Sequence, residues 1–85
     1  MPMTTRPVAA PVPLSRAAVG ERRLIVSVAG ASQDELEQEG ILPGRVVVVT
    51  ARTPLGGPVV VELGRTRIAL SCDVAACVST VAVSL

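Results

Sequence analysis

Few side chains in this sequence have the type and spacing to do chemistry. Cys72 and Cys77 form a lone C-x4-C pair, and Asp34, Glu35, Glu37 and Glu39 form a short acidic cluster. Thiolates hold zinc, but a structural zinc site takes four ligands, from two cysteine pairs or from a pair plus histidine. The chain has no histidine. The pair therefore reads as two small thiols in a reducing compartment, and no metal site is expected. Carboxylates take hard cations, yet on a short helix these four spread around the axis. A helix start that favours acids near its positive dipole end, with a solvated face beyond, accounts for them. Catalysis has no better footing. No histidine is present to move protons near neutral pH, and without lysine there is no phosphate-binding loop of the Gly-rich, Lys-containing kind. Cys72 has no neighbouring base or cation in the sequence to hold it as a thiolate. The chain is expected to be non-enzymatic and to need no cofactor.

Such a chain acts by what it binds, so its overall character decides the partner class. Eighty-five residues make one domain. A chain of this size buries about 60–65% of the surface its unfolded form exposes, which leaves room for one modest core and no deep cleft. Hydrophobic residues make up 49% of the sequence, and none is Phe, Tyr or Trp. The core must be Val, Leu and Ile, which suit a pleated surface. Eight arginines against seven acids give a net charge of +1, and the arginines are scattered along the chain. With no basic excess and no aromatic ring on which to stack a base, nucleic-acid binding is not expected. The apolar run after Arg22-Arg23 is shorter than the 7–15 residues or so of a secretory signal core, and it alternates like a strand. Nothing approaches the ~20 apolar residues of a membrane span. A cytoplasmic protein that does not insert in the membrane is the expectation.

The elements follow from periodicity and turn chemistry. Residues 1–13 carry Pro2, Pro7, Pro11 and Pro13. Proline at that density opposes helix and sheet ladders, so these residues read as a disordered tail, with one domain over residues 14–85. Glu21 to Ala29 alternates as a first strand. Ser32-Gln33-Asp34-Glu35 has the form of a capping box opening a short helix that Gly40 ends in the left-handed region, with Leu36 as its one core contact. Pro43-Gly44 suits a type II turn. Arg45 to Arg52 is the strongest strand, and its four consecutive valines predict contact on both faces. Strands over Pro58–Leu63 and Thr66–Leu70 flank Gly64-Arg65, a II′ turn. Ser71 caps one helical turn, and Val78 to Val83 closes the fold. The chain is thus read as all-β with one or two short helices, a small, partly open barrel of about five strands in the SH3-like size class.

Two ordered motifs carry a resemblance. Gly40-Ile41-Leu42-Pro43-Gly44 precedes a valine-rich strand, and about ten residues later comes Thr53-Pro54-Leu55-Gly56-Gly57-Pro58, then Arg67-Ile68-Ala69-Leu70 and an alanine-containing turn. From Leu14 to Val83 the chain resembles the FeoA family of bacterial ferrous-iron-transport accessory proteins. It departs from the family pattern at Glu39, where Leu is usual, at Gly57, where Asp is usual, and at Ser71, where Arg is usual. The resemblance implies an SH3-like barrel that partners FeoB, the membrane protein that carries a GTPase domain and moves Fe(II) inward. Similar small barrels occur as C-terminal domains of iron-dependent repressors, so a regulatory or assembly domain is the alternative. Such domains usually follow a DNA-binding helical part, which this chain lacks, and that favours the accessory role.

The candidate partner-binding residues are Pro54, Leu55, Gly56, Gly57 and Pro58, together with Ile41 and Leu42. Two prolines stiffen the loop while two glycines shape it and leave Leu55 nothing local to pack on. Leu55 is then either a hydrophobic anchor for a partner or a cap folded back over one end of the barrel. Ile41 and Leu42 either join that surface or serve the core and the turn. A second copy of the chain, covering the valine strand or pairing strand edges, is a further expectation.

Overall fold

The computed structural model describes residues 10–83. Strands form where valine, leucine and isoleucine gather, either alternating with polar residues as in β5 or in unbroken runs as in β3 and β4. In chain order the elements are β1 (Val12–Pro13), a 3-10 turn (Leu14–Arg16), β2 (Arg22–Val28), α1 (Gln33–Gln38), β3 (Val46–Arg52), β4 (Val59–Leu63), β5 (Thr66–Leu70), α2 (Cys72–Ala75) and β6 (Val78–Ala82). The six strands make one sheet in the order β1-β6-β2-β3-β4-β5, and every neighbouring pair is antiparallel. β1 and β5 are its two edges, so the barrel is not closed.

The inner face is aliphatic. Ile25, Val47, Val49, Val59, Val61, Ile68, Leu70 and Val78 are buried there, and Leu14, Ala17, Leu36, Ile41 and Ala75 cover it from the turns and helices. On β4 and β5, Val59, Val61, Ile68 and Leu70 are buried, Leu63 is partly buried and packs on the core, and Arg67 is exposed. Gly64 sits at φ +61 and closes the two-residue turn between Leu63 and Thr66. Pro43 and Gly44 occupy the centre of a turn in which the Arg45 N–H donates to the Leu42 carbonyl, with Gly44 at φ +93.

Several expectations need correction. The strands number six, not about five, because the tail does not stop before the domain: Val12 and Pro13 pair with Thr80 and Ser79. Proline is tolerated there because β1 is an edge, where an absent N–H need not face a neighbour. Residues 1–9 of the expected tail lie outside the described residues. Ser32 makes no side-chain cap, so the capping box is not formed; the Ser32 carbonyl still accepts from the Leu36 N–H. The four valines of β3 do not all face protein. Val47 and Val49 are buried, Val48 is half-buried and Val46 is exposed. In an antiparallel sheet one face can meet water, and a continuous apolar run does not by itself show that both faces are covered.

Gly40 ends α1 at φ +93, and a Cβ there would lie 2.7 Å from Leu63 Cδ2. Gly40→Ala is expected to cost about 1–2 kcal/mol from the left-handed backbone alone. Urea unfolding followed by far-UV circular dichroism measures it, since the chain lacks a fluorescent tryptophan or tyrosine.

Candidate functional site

The loop joining β3 to β4 is where the expected site residues gather. Arg52 and Val59 are register partners at its base, and one step further in the Thr53 N–H donates to the Pro58 carbonyl at 3.0 Å. Four residues, Pro54 to Gly57, are left to turn the chain. Leu55 at φ +62 and Gly56 at φ +78 are consecutive residues in the left-handed region, the pattern of a I′-type tip. Gly56 adopts that region freely. Leu55 does not, because its Cβ crowds the following carbonyl, and the conformation costs about 1–2 kcal/mol. It is the one non-glycine residue with positive φ among the described residues.

The loop is braced so that this conformation persists. Gly57 packs so closely on Thr53 that a Cβ at position 57 would lie 2.5 Å from Thr53 Cβ and Cγ2. At the base, the Arg52 guanidinium donates to the Ala17 carbonyl at 2.7 Å and to the Ser15 carbonyl at 2.5 Å, tying the hairpin to the 3-10 turn and the residue that follows it. Gly57→Asp is expected to destabilise the domain by about 1–3 kcal/mol through overpacking. Thr53→Gly in the same chain removes the obstructing atoms and is expected to return most of that loss. Chemical denaturation of the single and double variants measures both.

Leu55 is 104% exposed, so it does not fold back over the barrel. Pro54, Gly56 and Pro58 are exposed beside it and Gly57 is half-buried. The remaining two candidates lie elsewhere. Ile41 is fully buried in the core and offers no side-chain surface, while Leu42 is half-buried and lines an open cleft of ≈ 550 Å³ with Arg45, Val46 and Leu63. The structure therefore brings Pro54 to Pro58 together and separates them in role from Ile41.

The groups considered for chemistry stay apart. Cys72 and Cys77 are free and half-buried, and the Cys77 thiol contacts the Asp73 carbonyl at 3.5 Å. Among the described residues no three His, Cys, Asp or Glu side chains converge as a metal group. Asp34, Glu35, Glu37 and Glu39 are all exposed on and just after α1. Among the described residues no helix is long and apolar enough to cross a membrane.

One polar cluster has no clear signal in the sequence. Arg23 is 5% exposed on the inner face; its Nε donates to Thr80 Oγ1 at 2.9 Å and its Nη2 to the Thr80 carbonyl at 3.1 Å. The Thr80 hydroxyl in turn donates to the Val12 carbonyl at 2.9 Å, so the chain of bonds fastens β1 to the sheet. Alternation placed Arg23 on the same face as Ile25, which was the available hint.

A family model described as the FeoA domain matches residues 12–81. Among solved structures, a crystal structure described as the iron uptake regulatory protein FeoA is similar at TM-score 0.79 and 27% identity, covering 86% of this chain and 99% of that one. The zinc complex of Stenotrophomonas maltophilia FeoA, described as a prokaryotic SH3-domain protein, is similar at TM-score 0.71 and 28% identity, covering 85% of this chain and 89% of that one. A manganese-dependent transcriptional repressor shares the fold at TM-score 0.80 and 18% identity, over 91% of this chain and 44% of the repressor. No curated protein sequence matches the chain.

Proposed function

The chain belongs to the FeoA family, and on that premise we propose that it is a non-enzymatic accessory protein of bacterial ferrous-iron uptake that docks on a FeoB-type transporter through the Pro54–Pro58 loop. The observation that carries the reading is Leu55: a fully exposed leucine held at φ +62 on a braced loop. A sequence under selection for stability alone would place Asn, Asp or Gly at such a position. Strain that persists where the surrounding structure enforces it points to use, because a rigid anchor loses little freedom on binding. An exposed aliphatic side chain flanked by Pro54 and Pro58 matches an apolar pocket on a partner. The protein works at the cytoplasmic side in this reading and reaches the membrane through that partner. The likeness to the repressor is one of fold.

The test is capture of the transporter from detergent-solubilised native membranes on immobilised wild-type and Leu55→Asp protein, with mass-spectrometric detection. Capture by wild type and its loss with a folded Leu55→Asp variant supports the reading. Equal capture by both, or by neither while the wild type is folded, overturns it.

A further inference from the structure

A second surface lies along β5 and does not use Leu55. β5 is an edge strand, with β4 on one side and no strand on the other. In a two-residue hairpin the pair closing the turn, here Leu63 with Thr66, exchanges both backbone bonds, and the pattern alternates from there. Ile68 and Leu70 therefore turn their backbone groups toward β4, while Arg67 and Ala69 turn theirs to the open side. Both residues are exposed, and among the described residues neither backbone makes a bond outside the sheet. An exposed edge of this length is a template for another strand.

The inner flank of this edge is acidic. α1 lies beside a cleft near each end of β5, and Glu39 borders both. One cleft, ≈ 140 Å³, is formed by Glu35, Leu36, Glu39, Leu70 and Val74. The other, ≈ 550 Å³, holds Glu37 and Glu39 over Leu42 and Leu63, with Arg45 the single basic group lining either. Asp34, Glu35, Glu37 and Glu39 form no ion pair among the described residues, whereas Arg67 is paired with Glu62 at 3.2 Å. Apolar floors beneath unpaired carboxylates suit side chains with an aliphatic stem and a cationic head.

We propose that the β5 edge binds an extended, basic segment of a partner protein by strand addition. The segment's backbone pairs with the free groups of Arg67 and Ala69. Its inward side chains, two residues apart, lay Lys or Arg stems on Leu36, Leu70 and Val74 and place their charges by Glu35 and Glu39. A second copy of this chain fits less well, because it would bring a second acidic α1 to the same edge. The inference goes beyond docking through the loop and stands whether or not that reading holds.

The test uses the full chain, labelled with 15N, and two probes of about ten residues: a peptide alternating lysine with valine and one alternating glutamate with valine. The lysine peptide is expected to shift the Arg67 and Ala69 amides and slow their hydrogen exchange, with binding that weakens as salt rises. Ala69→Pro removes an outward N–H at an edge position where proline is tolerated. It is expected to leave the fold intact by circular dichroism and to weaken the peptide by about tenfold or more, as is Glu35→Gln with Glu39→Gln. If Ala69→Pro unfolds, Ala69→Lys, which repels a basic segment, is read instead. Equal binding of both peptides, or shifts confined to residues away from β5, overturns the proposal. So does protection of the Arg67 and Ala69 amides in the free protein, whether it grows with protein concentration, which assigns the edge to a second copy, or disappears on deleting residues 1–9, which assigns it to the chain itself.

Discussion

Leu55→Asn is expected to stabilise the domain by about 1 kcal/mol while lowering its capture of a FeoB-type transporter by about tenfold or more. The two effects have one cause. At φ +62 leucine is strained and asparagine is at ease, so the folded state gains while the unfolded chain changes little. Because Leu55 is fully exposed, its removal costs the core nothing. What disappears is the aliphatic group that an apolar pocket would enclose, and truncating a central anchor usually costs more than 1.4 kcal/mol or so of binding. Leu55→Gly relaxes the same strain but frees the unfolded chain, so its gain in stability is expected to be smaller. A variant both more stable and weaker in binding separates a functional leucine from a structural one. Urea unfolding and quantitative capture, run side by side on one preparation, read both.

Arg23→Ala is expected to destabilise the domain by about 3 kcal/mol, the largest effect of any surface-remote polar change here. The guanidinium supplies two hydrogen bonds to Thr80 and lies 3.6 Å from Glu21, and it fills space on the inner face. Its loss leaves a cavity and a buried Thr80 carbonyl without that donor. Because Thr80 carries the link to Val12, β1 is expected to fray as well. Arg23→Met with Thr80→Val refills the space and replaces the guanidinium–hydroxyl pair by apolar groups of similar size, leaving only the Thr80 and Val12 carbonyls short of a donor. The double variant is therefore expected to be more stable than Arg23→Ala by about 2 kcal/mol. Hydrogen exchange at Val12 distinguishes loss of the link from general loosening.

Much of the architecture was legible because β-structure writes a short-range code. Val59, Val61, Ile68 and Leu70 alternate, Gly64-Arg65 has the composition of a tight turn, and Ser71 caps α2 with its hydroxyl accepting from the Val74 N–H. Three features escaped that code, each for a physical reason. Bulges between Ile25 and Ser27 and between Val49 and Ala51 shift the alternation, so one strand changes phase midway and Val28 packs inward after Val26 has faced out. Pairing of Val12 and Pro13 with β6 joins residues 68 apart in the chain at its longest reach, and no local pattern reports it. Arg23 is buried because Thr80 satisfies it across the sheet, again a long-range fact.

At the candidate site the division is similar. Two prolines and two glycines marked a stiff loop, and the loop is braced as that composition suggests. The direction of Leu55 was not legible, since both an anchor and a cap fit the composition. It is decided by the close approach of Gly57 to Thr53 and by the bond from Thr53 to Pro58, which together hold the tip upright. Ile41 shows the opposite case. A surface role and a role in the core or turn were both open to it, and it is enclosed in the core.

Docking through the loop requires that position 55 touch the transporter. It is tested most directly by replacing Leu55 with a photo-activated crosslinking amino acid in the native organism, with the same replacement at exposed Arg65 as the control. After illumination, an adduct with the FeoB-type transporter is expected from position 55 and none from position 65. No adduct with the transporter from position 55, in a strain where the protein is folded and abundant, contradicts it.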